Sequence, residues 1–166
     1  MTLTVKAGTS DYFVALSTAT TGATGSETPD GDVVYLFAED FTLSFKEGQA
    51  AKPSVAGRSF RYPNGKRAMS VDLTNCIITA QVTASATAEL NAILDFIYDN
   101  SNKIGAGGVY CFIKNIAESN AYIKLSWNTS GTPVQYLKGY VDVSTVKGEK
   151  GKMYRIPSLK VVEATN

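Results

Sequence analysis

The chain has 166 residues, 44% hydrophobic and 19% charged, with a net charge of +1, the balance of an ordinary globular chain long enough for one domain. It has no histidine, which removes Ser-His and Cys-His nucleophile pairs and the commonest metal ligand. No apolar run nears the ~18 residues of a membrane span, and no signal-peptide pattern opens the chain, so neither a membrane nor a cleaved secretion signal is expected.

An apolar segment, Tyr12 to Leu16, comes first. Ser17 to Gly31 is dominated by Thr, Ser, Gly and Ala and cannot build a core, so a flexible arm or long loop is expected over 17–31. Val33 to Ala38 reads as a strand. From Phe41 to Phe45 the pattern alternates, with Phe41, Leu43 and Phe45 facing inward. The alternation stops at Lys46. From Lys46 to Arg67 there are six basic residues against Glu47 alone, a net charge of +5, so the rest of the chain carries −4. Pro53, Gly57 and Pro63 argue against a central strand here, and Asn64-Gly65 is a strong hairpin-turn signal. The reading is a long, projecting, basic hairpin or loop over 46–67.

Alternation resumes with Met69, Val71 and Leu73, and a strand from Cys76 to Thr83 leads into the one convincing helix, 85–102. There Leu90, Ile93, Leu94 and Ile97 share a face at 3.6 residues per turn, and Ala86 extends it backwards. Asn91, Asp95 and Asp99 form the wet face, Ser85 is the N-cap, and Glu89 sits in the first turn, where negative charge suits the helix dipole. Gly105 to Gly108 turns the chain out of the helix into an apolar strand, Val109 to Ile116. Tyr122 to Trp127 alternates, with Ile123, Leu125 and Trp127 on one side. Val134 to Ser144 and Met153 to Glu163 are two further strands, joined by a polar hairpin tip at Lys147 to Lys152. Many short strands with turns between them predict a mostly β domain over 1–166, an antiparallel β-sandwich or barrel with one packed α-helix.

No catalytic, cofactor or metal constellation emerges. Gly148 to Lys152 lacks phosphate-loop spacing and is a hairpin tip. Gly105 to Gly108 follows a helix instead of preceding one. Asp30-Gly31-Asp32 lacks the completing Glu of a calcium loop and reads as a turn. Glu39 and Asp40 are adjacent on an extended chain, so their carboxylates diverge. Cys76 and Cys111 lie in apolar strands and read as reduced core residues, with a disulfide as the alternative.

The basic loop is the one feature with a functional signal. Phe60 and Tyr62 alternate with Arg58, Ser59 and Arg61, which fits three readings: stacking on a single-stranded nucleic acid, a solvated loop, or a docking arm onto an acidic neighbour such as a second copy. As subunit-contact residues the candidates are Lys52, Arg58, Phe60, Arg61, Tyr62 and Arg67.

The order of parts is a strand pair, a long loop, a second pair, one helix and closing strands. It resembles the tail tube (major tail) proteins of tailed phages and tailed archaeal viruses, and the tube subunits of contractile injection systems. The resemblance runs from Val33 to Glu163. It lies in the stretch from Val71 to Thr79 leading into Glu89–Leu94, and in the closing strands Gly139–Ser144 and Tyr154–Glu163. Distal-tail and baseplate subunits share the pattern. The resemblance implies a virion structural protein, assembled in the host cytoplasm into six-membered rings. Their sheets would join into an inner barrel, and stacked rings would form a hollow tube for genome delivery. The long loop would reach a neighbouring subunit. Partners would be copies of itself, other tail proteins and DNA passing through without specific recognition, with no cofactor, metal or membrane. The rival of another class is a nucleic-acid-binding β module using the loop 46–67.

Overall fold

Alternating β-branched and aromatic residues favour pleated, half-buried backbone, and they recur along the chain outside its helix. The computed structural model of the protein describes residues 12–53, 59–78, 85–117, 121–128, 130–149 and 153–163. Among these residues the strands are β1 (Tyr12–Thr21), β2 (Thr28–Pro53), β3 (Ser59–Ile78), β4 (Val109–Asn115), β5 (Ser126–Trp127), β6 (Pro133–Val134), β7 (Leu137–Val143), β8 (Lys147–Glu149) and β9 (Met153–Glu163). Antiparallel pairing runs β3-β2-β1-β4-β7-β9, and β9 pairs back onto β3 from Ser70↔Val162 to Ile78↔Tyr154. Six strands therefore close into a barrel, so of the two expected architectures the chain takes the barrel. β8 extends the β9 edge, and β5 pairs only with β6.

Inward side chains of every barrel strand form one core: Val14 and Leu16 from β1, Leu36 from β2, Val71 and Leu73 from β3, Cys111 and Ile113 from β4, Val141 from β7 and Leu159 and Val161 from β9. A strict period of two would not sustain this. Ala38 and Phe41, Leu73 and Cys76, and Ile156 and Leu159 all face the core, and each pair is spaced by three residues. The three irregular steps lie side by side, because Ala38 pairs with Cys76 and Cys76 with Ile156, while Asp40 pairs with Thr74 and Thr74 with Ser158. The register skips Glu39, Asn75 and Pro157 together. Asn75 adopts φ +52°, a left-handed conformation that Asn tolerates better than most residues, and its Nδ2 donates to Glu39 Oε2 at 2.8 Å. Pro157 has no N–H to lose where the ladder breaks.

The helix α1 spans Ala86–Ile97 and passes into a single π turn, Tyr98–Asn102. Ser85 is the N-cap, its Oγ accepting the Ala88 N–H at 3.2 Å. The buried face is Ala86, Glu89, Leu90, Ile93, Phe96 and Ile97, and its apolar side chains from Leu90 onward join the same core as the barrel interior. The expected stripe is thus rotated. Leu94 is 36% exposed, and Phe96 takes the place assigned to it. The Thr87 and Tyr154 hydroxyls, 2.8 Å apart, tie the start of the helix to β9. At the other end Ser101 Oγ accepts the Val141 N–H at 2.6 Å, tying the π turn to β7.

The expected flexible arm at 17–31 is instead a β-hairpin in which β1 pairs with β2 out to Thr21↔Thr28. Thr and Ser serve a two-stranded ribbon well even though they cannot fill a core. Asp30-Gly31-Asp32 forms a bulge within β2, not a turn. Ser17 pairs with Val33 and Ala19 with Asp30, while Gly31, at φ +72°, packs so closely on Thr18 that a side chain there would collide with its hydroxyl. That hydroxyl accepts the Asp32 N–H at 3.0 Å.

A second apolar layer lies on the outside of β1 and β4. Phe13, Ala15 and Phe112 are buried there beneath Tyr35, Phe37, Tyr122 and Tyr136. The expected Tyr122–Trp127 strand is a strand only at Ser126–Trp127, and Trp127 is exposed instead of joining Leu125 in the core. Glu27 fastens this cover. Its carboxylate is buried and accepts the Gly25 N–H at 2.9 Å and the Gln135 N–H at 3.1 Å. Burial raises its pKa, but the backbone N–H groups of Gly25, Glu27 and Gln135, with Lys124 nearby, outweigh it and hold the carboxyl below its ordinary value of 4.5.

Replacing Phe96 by Ala should cost about 3–5 kcal/mol through lost burial and a cavity, and replacing Leu94 by Ala under about 1 kcal/mol, in denaturant titrations. Unfolded, Glu27 takes up its proton near its ordinary pKa of 4.5, and folded at lower pH. Its contribution is therefore complete above that value and fades as pH falls through the folded one. Glu27→Gln should lose about 1–3 kcal/mol at pH 7 and flatten the acid limb of a stability-against-pH curve.

Candidate assembly surface

The long β2–β3 hairpin holds the basic segment. Beyond the barrel rungs, the two strands continue paired from Lys46↔Ala68 to Pro53↔Ser59. Among the described residues these stretches pair only with each other, so of the two expected forms, hairpin or loop, the described parts of 46–67 take the hairpin, as a two-stranded ribbon. Pro53 and Pro63 are tolerated because both strands are edges here. The turn is not at Asn64-Gly65. Glu47 pairs with Arg67 and Gln49 with Pro63, so Gly48 lies opposite Asn64, Gly65 and Lys66 in a bulge. The strong turn dipeptide is absorbed as the bulge, and pairing continues past it to Pro53↔Ser59.

The ribbon places Lys52 opposite Phe60, Arg61 opposite Ala51, Tyr62 opposite Ala50 and Arg67 opposite Glu47. Arg58 lies outside the described residues, so five of the six candidates are brought onto one ribbon.

The outer face of α1 supplies a contrasting surface that the sequence reading did not single out. Asn91, Leu94, Asp95, Tyr98 and Asp99 are exposed, with Leu94 at 36% and Tyr98 at 58%. Leu94 and Tyr98 form one i, i+4 row and Asp95 and Asp99 the next. No Lys or Arg occurs from Ala86 to Asn102. The signal was present in the wet-face spacing of Asp95 and Asp99, but assigning Leu94 to the core concealed the apolar row beside it.

Elsewhere the polar groups serve the fold. Glu39 is held by Asn75, and Gly105 and Gly108, both at positive φ, carry the chain out of the π turn, with the Gly108 N–H donating to Asn100 O at 2.9 Å. Among the described residues no group of three or more His, Cys, Asp or Glu could hold a metal ion, and no helix is long and apolar enough to cross a membrane. Cys76 and Cys111 are free and buried, as expected, not disulfide-bonded. Burial pushes both thiols up to about 12, with Asp72 adding to the shift at Cys76 and Cys76 adding to that at Cys111. Thiols held in this state are poor nucleophiles.

Neither a protein-family model nor a curated protein sequence matches this chain.

A thiol reagent at neutral pH should label neither cysteine in the folded protein and both after denaturation without reductant. Rapid native labelling would contradict the burial. Because the folded thiols resist ionisation while unfolded ones ionise near 9, stability should fall as pH rises from about 9 towards 12.

Proposed function

We propose that this protein is a virion structural subunit that assembles with copies of itself into stacked rings forming a hollow tail tube. It would act in the virion tail after assembly in the host cytoplasm, alongside other tail proteins. DNA would pass through the tube without sequence recognition. The observation that carries the reading is the ribbon. It is strongly basic and self-paired, and it extends a closed barrel whose remaining chain is net −4. A two-stranded hairpin alone is marginally stable in water, so a ribbon of this length gains from lying on another surface. The order of strands and helix from Val33 to Glu163 supports the same reading through its resemblance to tail tube subunits.

Barrel closure limits where subunits can join. Open sheet edges would invite pairing around a ring, but β3–β9 pairing already satisfies those of the barrel body. The ribbon is then the contact favoured between subunits. Exposed ion pairs are worth only about 0–1 kcal/mol each, yet in a ring or stack they recur at every joint, and Phe60 and Tyr62 add aromatic anchors.

Arg58→Glu with Arg61→Glu should leave the fold intact by circular dichroism and abolish rings and tubes in negative-stain microscopy. High salt should weaken assembly only in part, since aromatic contacts are not screened. Normal tubes from the folded double variant would sink the docking role. Loss of nucleic-acid binding in that variant, with no tubes from the parent chain, would favour the nucleic-acid module.

A further inference from the structure

The ribbon needs a seat. Among the described residues the exposed large apolar side chains are Leu94, Tyr98, Ile104, Trp127, Tyr140, Val146 and Val162. Tyr140 and Val162 lie on paired rungs of β7 and β9, but the next pairing along, Asp142↔Lys160, is already balanced in charge. Trp127 sits on the short β5–β6 pair, between Lys124 and the uncharged turn at 128–132. Asp30 and Asp32 flank the Gly31 bulge with no large exposed apolar side chain among the described ones of their strand, and Glu39 is taken by Asn75. The helix differs from all of these. Leu94 and Tyr98 lie in a row beside Asp95 and Asp99, and no basic residue occurs from Ala86 to Asn102. Ile104, fully exposed, stands just past the π turn.

We propose that the outer face of α1, formed by Leu94, Asp95, Tyr98 and Asp99, is the seat for the basic ribbon 46–67 of a neighbouring copy of this chain. The proposal rests on the assembly reading above and names the partner surface within it. The chemistry of the two surfaces is complementary in both respects. The ribbon carries Lys52, Arg61 and Arg67 with Phe60 and Tyr62, and the helix face offers two carboxylates with an aromatic and an aliphatic side chain. Attachment through side chains fits the ribbon better than addition of a strand. Pro53 and Pro63 remove donors from its edges, and interspersed Lys and Arg deter edge pairing. The buried face of α1 holds the core, while the proposed seat faces away from it.

The test is charge reversal and rescue, with the wild-type chain in parallel. Asp95→Lys with Asp99→Lys should fold normally by circular dichroism, yet need at least about tenfold more protein to assemble in sedimentation and negative-stain microscopy, because like charges face each other across the joint. Adding Arg58→Glu and Arg61→Glu in the same chain should restore assembly towards the wild-type concentration. Tyr98→Ala should weaken assembly in a way that salt does not reproduce. If wild-type assembles and the helix variant assembles equally well, the seat is wrong while the tube reading stands. If the helix variant fails and the ribbon reversal does not rescue it, the pairing of these two surfaces is overturned. If the wild-type chain forms no higher assembly at all, the tube reading itself fails and takes the seat with it.

Discussion

The structure depends on the pairing of β3 with β9. Without it, β2 and β3 would be the end of an open sheet, the inward side chains of β3 and β9 would lack a wall, and α1 would rest on half a core. With it, every strand of the barrel body has two neighbours, and one apolar cluster runs from Val14 through Ile93 to Val161. Closure demands strong twist and close approach. Gly139 shows how close: a side chain there would run into the backbone of Val162. The coordinated skip at Glu39, Asn75 and Pro157 serves the same end. It changes the phase of three adjacent strands on one level, so the curved sheet keeps its apolar side inward past the bend.

Closure also divides the chain between rigid and available parts. Antiparallel ladders satisfy their backbone internally wherever a strand has two partners. The extended half of the β2–β3 hairpin has only one, which leaves a charged, twisted ribbon whose stability is borrowed from the barrel that anchors it. The two apolar layers reinforce this division. The inner one is continuous with the helix. The outer one, over β1 and β4, is aromatic, and Lys114 and Lys138 lie over its rings: Lys114 Nζ is 5.2 Å from the Phe13 centroid and Lys138 Nζ 5.1 Å from that of Tyr110.

Much of the fold was legible in the sequence. The helix announced itself by its period and its Ser85 cap, and Met153–Glu163 and the inward residues Met69, Val71 and Leu73 by alternation. What was not legible has physical reasons. The hairpin at 17–31 is built from Thr and Ser, whose strand preference is masked by their low hydrophobicity. Leu94 and Phe96 are both apolar neighbours of the stripe, and only tertiary packing decides which edge of a helix face is covered. Asn64-Gly65 signals a tight reversal from local preference alone, but the register of the flanking strands made it a bulge. The burial of Glu27 depends on Gln135, 108 residues away, which no local pattern encodes. The candidate ribbon was visible through its charge, whereas the helix face opposite in charge was hidden by the misplaced Leu94.

The closing pairs of the barrel have a kinetic consequence. Residues joined across β3 and β9 are separated by 76 residues at Ile78↔Tyr154 and by 92 at Ser70↔Val162. Non-local pairing of this kind is slow, because the loop entropy is lost before the contacts form. On the ribosome β9 emerges last among the described strands, and until then the β3 edge stands open with Val71 and Leu73 uncovered. A nascent chain is therefore vulnerable to edge-to-edge aggregation from the emergence of β3 until that of β9. The proline at 157 and the lysine at 160, both on the strand that completes the closure, are residues that discourage that strand from pairing with a stranger first.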